Sequence, residues 1–337
     1  MAHAGLRVGG EGERGAPVLD ERRQYAEEGK GDANPDGSAS PILAAGASTA
    51  TVRASQADER SFANNSPWNV PIRQNPMLDA QSADKVAHLS QEGRGYASLY
   101  ESGVPIFDAD AFTPKARVKC TKPWGDCQLE SGPVPIPSQA QPNSSTDAAM
   151  IVIDRSTGKV YEFWQARKIN DRSWQTSWGG VVDIRGVGTP GQAVGSGVAA
   201  LAGVVRIAEF MRGRIDHALV FTAYACPSEY RHPASKSDGS FPPPDCLPEG
   251  ARIQLDPGID VDSIPGITRG ERIVARALQT YGAYAVDNGG ARMAFKFERP
   301  TAGKPDPYRE AGFPWDYWHM PHIPWNKLRV LNRWDGT

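Results

Sequence analysis

Two histidines and a nearby carboxylate are the first candidates for chemistry in this sequence. His217 stands on the apolar side of a predicted strand, followed by His232 and Asp238 in a polar loop. An imidazole at position 217 is either a buried core group or a general base at the floor of a cleft. The loop carrying His232 is either a solvated surface loop or the wall of a site. We predict His217, His232 and Asp238 as catalytic candidates and leave the structural alternatives open.

Three consecutive residues, Tyr230, Arg231 and His232, suggest a second kind of chemistry. These residue types together abstract a proton beside a carboxylate and stabilise the resulting enolate, which a uronate polysaccharide lyase requires. Tyr230 is therefore predicted to be catalytic, and Arg231 is predicted to bind substrate.

Carboxylates offer the alternative of glycoside hydrolysis. Glu209 paired with Asp238 or with Asp287 would supply the two acidic groups of that mechanism. The mechanism needs carboxyl groups about 5 to 9 Å apart, and a sequence does not define that distance. All three residues are retained as catalytic candidates, although acidic residues are also common at turns and helix surfaces.

Aromatic side chains could hold a sugar by stacking. The chain has nine tryptophans, most of which we expect in the core. We predict that Trp164, Trp178 and Trp318 bind substrate.

Calcium is the one cofactor that the sequence suggests. Asp256, Asp260 and Asp262 are oxygen ligands at close spacing, but the rest of a recognised calcium loop is missing. A turn capped by aspartates is the alternative. No other metal site is predicted.

The four cysteines form two local pairs at the ends of polar loops. Cys120 and Cys127 enclose one loop, and Cys226 and Cys246 enclose a longer one that contains His232 and Asp238. We predict these two disulfides, and therefore an oxidising, extracellular compartment. The first residues show no signal-peptide pattern, so the prediction of secretion depends on the cysteines alone.

Composition excludes some classes of partner. The formal net charge of the 337 residues is -2, and no basic stripe of the kind that binds nucleic acid is present. No apolar stretch is long enough to span a membrane.

The order of the elements predicts a mainly β protein. Residues 1–62 are poor in large apolar side chains and are predicted to be a disordered tail or linker, followed by one domain at 63–337. In that domain we expect an antiparallel, jelly-roll-like β-sandwich with one or two helices. Predicted elements are a hairpin of 148–153 with 159–164, an alternating strand at 214–222, a helix at 268–281 and a hairpin of 283–286 with 293–297.

A series of short motifs between residues 195 and 331 resembles a group of poorly characterised secreted proteins of actinobacteria and other soil microbes. The motifs are Ser196-Gly197, Leu201-Ala-Gly203, Glu209, Gly213-Arg-Ile-Asp-His-Ala-Leu219, Pro233-Ala234, Asp238-Gly239, Leu247-Pro-Glu-Gly250, Arg276-Ala-Leu-Gln-x-Tyr-Gly282, Asp287-Asn-Gly289 and Ile323-Pro-Trp-x-x-Leu-Arg-Val-Leu331. The resemblance implies a secreted β-sandwich and suggests work on glycans, without assigning catalytic residues.

These observations favour a secreted carbohydrate-active enzyme, a polysaccharide lyase or a glycoside hydrolase, that acts on an extracellular or cell-wall glycan. Two alternatives remain. One is a noncatalytic glycan-binding or adhesive module. The other is a structural subunit of an extracellular assembly that docks through its N-terminal tail.

Overall fold

Strands predominate in the computed structural model of the protein, which describes residues 60–332. That range contains sixteen strands and four α-helices. The strands are β1 Tyr96–Ser98, β2 Ile106–Ala109, β3 Lys115–Cys120, β4 Val134–Pro135, β5 Met150–Asp154, β6 Lys159–Trp164, β7 Arg167–Asn170, β8 Ser173–Thr176, β9 Trp178–Asp183, β10 Leu219–Ala223, β11 Ala225–Tyr230, β12 Leu247–Glu249, β13 Arg252–Leu255, β14 Ala283–Asn288, β15 Ala294–Lys296 and β16 Leu328–Val330. The helices are α1 Ser82–Leu89, α2 Ile207–Arg212, α3 Arg269–Thr280 and α4 Pro307–Glu310. The predicted mainly β fold with helices is confirmed.

Most of these strands belong to three sheets, with β11 and β12 forming a separate pair. The central sheet has the strand order β1-β15-β10-β14-β13-β16, the middle sheet β2-β5-β6-β9 and the outer sheet β4-β3-β8-β7. Each of the three contains parallel as well as antiparallel neighbours, so the pairing is mixed. The parallel neighbours β10 and β14 are joined through a segment that includes α3, which is long enough for the crossover that parallel strands require.

Apolar side chains fill three layers of a sandwich-like arrangement. The first layer packs α3 against one face of the central sheet, the second lies between the central and middle sheets, and the third lies between the middle and outer sheets. Leu219 and Phe221 of β10 enter the first layer, whereas Val220 enters the second. Because both faces of the central sheet are covered, its strands carry apolar residues on both faces.

Helix α3 forms where the sequence predicts it. The Thr268 hydroxyl accepts a hydrogen bond from the Glu271 backbone N–H, and the Glu271 carboxylate accepts one from the Thr268 N–H, which completes a capping box. At the other end Gly282 has a φ of +69°, the left-handed conformation that favours glycine. Both helix ends are therefore specified locally, and the predicted helix is confirmed.

One of the two predicted hairpins is correct. Strands β5 and β6 pair in antiparallel orientation, as expected. Strands β14 and β15 do not pair with each other, because β10 lies between them in the central sheet. A local turn signal does not reveal that a third strand separates its two flanking strands. Helices α1 and α4 were not predicted; both are short, and their positions depend on tertiary packing.

The predicted tail ends earlier than residue 62. Phe62 is buried in the second layer, and its backbone N–H donates to the Ile184 carbonyl at 2.6 Å. An aromatic side chain at the end of a polar segment can still enter a neighbouring core. The remainder of the predicted tail, residues 1–59, lies outside the described part of the chain.

Glu209 and His217, both predicted as catalytic, form a buried ion pair between α2 and the segment before β10. His217 Nε2 lies 2.9 Å from Glu209 Oε2, and His217 Nδ1 lies 2.9 Å from the Ala218 carbonyl oxygen. Both partners only accept, so both ring nitrogens donate and the imidazole is a cation. Burial alone would lower the pKa of His217, but the charge and hydrogen bond of Glu209 raise it above its usual value. The pair therefore has a structural role.

We expect Glu209→Gln to lower the free energy of unfolding by about 3 to 5 kcal/mol, because it leaves a buried imidazolium without its counter-charge. Glutamine can still accept the hydrogen bond from the Arg206 N–H. The measured loss of stability therefore reports the removal of the negative charge and not of the helix cap. Urea denaturation measures the change. The matched control is Asp171→Asn, which removes the partner of Lys168 at an exposed ion pair and should have a much smaller effect on the free energy of unfolding. Equal losses in the two variants would contradict the assignment.

A second buried carboxyl, Glu162, lies on β6 between the central and middle sheets. It is fully buried, and its Oε1 accepts a hydrogen bond from the Leu201 N–H at 3.0 Å while its Oε2 has no partner. Burial raises the pKa of Glu162 to about 7, although backbone N–H groups partly offset the effect. At neutral pH and below, the folded protein therefore favours a proton on this carboxyl.

This proton makes stability depend on pH. Between the ordinary glutamate pKa of about 4.3 and the folded value of about 7, the folded state holds a proton that the unfolded state has lost, so stability falls as pH rises. Glu162→Gln should remove this component. Denaturant titration measures the free energy of unfolding. The difference between the variant and the natural protein should rise in favour of the variant by up to about 3 kcal/mol from pH 5 to pH 8. The exposed Glu310→Gln should give no such gain. A pH-independent difference for Glu162→Gln would show that the carboxyl is already ionised in the folded state.

Candidate functional site

A cavity of about 840 Å³ opens between the central and middle sheets and is called the cleft below. Residues of β5, β6 and β9 form one side, and residues of β10, β14 and β15 form the other. The glycine-containing segments at 192–195 and 288–291 complete its rim. The cleft is the place where predicted aromatic and acidic candidates come together.

Three carboxyl groups meet at one end of the cleft. Asp238, Glu249 and Asp287 each offer one oxygen, and these oxygens all lie within 4.8 Å of one another. Asp238 and Asp287 line the cleft, whereas Glu249 is fully buried behind them. We call these three residues the acidic cluster.

An irregularity in the sheet turns Asp287 toward the cleft. Phe221 of β10 pairs with Ala285 of β14, and the next residue, Thr222, pairs with Asp287, so Val286 is an extra residue on β14. Without this bulge Asp287 would alternate to the face opposite Val286, away from the cleft. The bulge instead places it beside Thr222, which also lines the cleft.

Asp238 and Glu249 are positioned by the second disulfide loop and the strand that follows it. The Asp238 N–H donates to Glu249 Oε2 at 3.2 Å, and Glu249 ends β12, just beyond Cys246. On the other side, a Cβ at Gly195 would clash with the Asp238 carboxyl group. Glycine at position 195 is therefore required for this close approach.

The close spacing changes the acidity of the cluster. Burial raises the pKa of Glu249 well above its usual range, and the charges of Asp238 and Asp287 add to the effect. The pKa of Asp238 is also raised, first by partial burial of its carboxyl group and then by the charge of Asp287. Two of the three carboxyls therefore favour the protonated form more than a free carboxyl does.

Lys296 gives Asp287 a different environment. Its Nζ lies 2.8 Å from Asp287 Oδ2, with both side chains largely buried. Burial alone would lower the pKa of Lys296, but attraction to Asp287, Asp147 and Asp238 leaves it raised. The cleft thus holds a carboxyl group paired with an ammonium, Asp287, next to a carboxyl whose pKa is raised, Asp238. Such a difference between neighbouring acids is typical of acid–base sites.

Aromatic side chains also line the cleft. Trp124 stacks on Trp164 with ring centroids 5.9 Å apart and an interplanar angle of 17°, and it also contacts Trp178. Trp124 lies within the loop closed by Cys120 and Cys127 and is 59% exposed. We call these three residues the tryptophan platform, because an exposed indole face can stack on the apolar face of a sugar ring.

Four predicted site residues therefore line one cleft, namely Asp238, Asp287, Trp164 and Trp178. The other predicted candidates lie elsewhere. Arg231 is buried in an ion pair with Asp79, and Trp318 packs beside the first core layer. Tyr230 and His232 are exposed and are not among the residues that line the cleft, and Glu209 and His217 form the buried pair described above.

Sequence reasoning missed Glu249, Lys296, Trp124 and the cleft residue Asp147. Glu249 belongs to the motif Leu247-Pro-Glu-Gly250, but nothing local in that motif shows that it faces Asp238. The sequence held one signal for Trp124, which is its place inside a small predicted disulfide loop. Such a loop holds an aromatic side chain in a restricted position, where it can serve as a binding surface. Asp147 accepts a hydrogen bond from the Trp164 indole Nε1–H at 3.1 Å, which only the folded chain reveals.

The predicted disulfides, Cys120–Cys127 and Cys226–Cys246, are both present. The aspartates suggested as calcium ligands have other roles. Asp256 and Asp260 accept backbone N–H groups of their own turns, and Asp262 pairs with Arg272 and Arg276. Within residues 60–332, the acidic groups close enough to share one ion are those of the acidic cluster.

Comparisons with protein-family models, with curated proteins and with solved structures find no match to this chain. None of the helices in residues 60–332 has the length and apolar character needed to cross a membrane.

Proposed function

We propose that this protein is a secreted glycoside hydrolase whose catalytic groups are Asp238 and Asp287. The observation that carries the proposal is the pair of carboxyls in a cleft that also contains the tryptophan platform. Stacking holds a sugar chain by its apolar faces, and two carboxyls beside that chain supply what glycosidic bond cleavage requires.

In this mechanism Asp238 donates a proton to the glycosidic oxygen as the bond from that oxygen to the anomeric carbon breaks. Asp287, held beside the Lys296 ammonium, attacks the anomeric carbon through a carboxylate oxygen and forms a glycosyl ester. Water then displaces Asp287 while Asp238 takes up a proton from the water. The cluster oxygens lie within 4.8 Å of one another, which is closer to the spacing of retaining enzymes (about 5 to 5.5 Å) than to that of inverting enzymes (about 6.5 to 9.5 Å). We therefore expect retention of anomeric configuration.

Hydrolysis fits the cleft better than the elimination reaction of a lyase. The lyase candidates Tyr230, Arg231 and His232 do not line it, and neither does any arginine or histidine of residues 60–332. A uronate substrate needs cationic groups that neutralise its own carboxylate. The acidic residues that line the cleft, Asp147, Asp238 and Asp287, outnumber the lysines, Lys236 and Lys296. These features support a neutral rather than an acidic glycan as substrate.

Secretion is the part of the proposal that the disulfides support. Disulfides persist in oxidising compartments, and both disulfide loops contribute residues to the cleft, Trp124 from one and Lys236 and Asp238 from the other. An extracellular or cell-wall glycan would be the substrate in that compartment.

The hydrolase proposal predicts that Asp238→Asn and Asp287→Asn each lower activity by a factor of about 100 or more, because each removes a group that reacts in the transition state. Release of reducing ends from a panel of neutral and acidic polysaccharides is the measurement. Asp256→Asn, which alters a carboxylate outside the cleft, is the control and should keep full activity. Absence of cleavage by the natural protein, including glycan binding without cleavage, would refute the proposal. So would an unsaturated, ultraviolet-absorbing product, which a lyase releases.

The tryptophan platform predicts a separate effect on binding. Trp124→Ala should raise KM by roughly three- to tenfold with little change in kcat, because it removes stacking surface and leaves both reacting carboxyls in place. Trp315→Ala removes another exposed tryptophan that does not line the cleft and should leave KM unchanged. Equal changes in KM for both variants would argue against the platform.

A further inference from the structure

We propose that the acidic cluster binds one calcium ion through Asp238, Glu249 and Asp287, and that the bound ion blocks hydrolysis. The inhibitory part rests on the proposed function, whereas the binding site is argued from geometry alone.

The spacing of the oxygens suits calcium. Calcium takes carboxylate oxygens at about 2.3 to 2.6 Å, so two ligands on opposite sides of one ion lie about 4.8 Å apart. All three carboxyls of the cluster offer oxygens within 4.8 Å of one another. Magnesium requires bonds of about 2.0 to 2.1 Å and a near-ideal octahedron, and it usually keeps several waters beside one or two carboxylates. A site of three carboxylates therefore favours calcium.

Glu249 provides an independent reason to expect a ligand. The residue is fully buried, its Oε2 accepts the Asp238 N–H, and its Oε1 has no hydrogen-bond partner. A buried carboxylate oxygen without a partner is costly, and a cation shared with two neighbouring carboxylates satisfies it. Because Asp238 is exposed on one side, water can complete the coordination shell.

Lys296 limits the affinity. It occupies Asp287 Oδ2 and leaves the other oxygen of that carboxylate for an ion, but its positive charge repels a second cation nearby. We therefore expect a dissociation constant of about 0.1 to 1 mM, as in extracellular calcium modules. An ion bound by Asp238 and Asp287 would occupy carboxylate oxygens that must otherwise reach the glycosidic oxygen and the anomeric carbon in the cleft.

Calorimetric titration with CaCl2 and thermal unfolding test the site without any substrate. At roughly ten times the dissociation constant, calcium should raise the Tm of the natural protein by about 3 °C, and magnesium should raise it less. Glu249→Gln preserves shape but removes one carboxylate ligand, and it should abolish both signals. Lys296→Met should tighten binding at least roughly tenfold. Asp256→Asn, in the other aspartate group, should bind calcium like the natural protein.

Two results would overturn the site. One is calcium binding that survives Glu249→Gln. The other is the absence of both heat and a Tm change in the natural protein with up to about 10 mM CaCl2. The inhibitory part has its own test, since hydrolysis should fall with the same half-saturating calcium concentration that calorimetry gives. Calcium binding in a protein that cleaves no glycan would uphold the site and refute the hydrolase. Activity that is unaffected at saturating calcium would refute the inhibition alone.

Discussion

Mutual repulsion among Asp238, Glu249 and Asp287 is a constraint that the fold of the described residues must accommodate. Three carboxyls within 4.8 Å of one another oppose folding unless the chain holds them there and moderates their charge. The raised pKa values of Asp238 and Glu249 and the ammonium of Lys296 beside Asp287 moderate the charge. The layered core holds them in place, because its burial of apolar area offsets what the cluster costs.

Each member of the cluster is placed by a different structural device. A bulge turns Asp287 to the cleft face, the backbone of β12 carries Glu249 inward, and the absence of a side chain at Gly195 admits Asp238. All three devices depend on the central sheet or on segments that pack against it. The site is therefore sensitive to strand register, since a shift of one residue along β14 would reverse the direction of Asp287.

Local signals in the sequence were sufficient for some elements and insufficient for the site. The capping box at Thr268 and the glycine at position 282 define α3 within a few residues of chain, and the cysteine spacing indicates both disulfides. The acidic cluster instead brings together residues from a loop, β12 and β14, and no periodicity connects them. Asp238 and Asp287 were identified by residue type, but their separation and their buried neighbour Glu249 depend on pairing between distant strands. For His217 the sequence left a core group and a general base open as alternatives, and the structure places it before β10 as a buried group beside the Glu209 carboxylate.

The two disulfides are better explained by the site than by the core. Each closes a short loop, with sequence separations of 7 and 20 residues, and closing a short loop restricts the unfolded chain less than closing a long one. Both loops, however, deliver side chains to the cleft, Trp124 from the first and Asp238 from the second. A surface loop with few apolar residues has little packing to fix its conformation, so a covalent closure is an effective way to hold one functional side chain. In this protein the covalent links therefore restrain two loops that each contribute to the cleft.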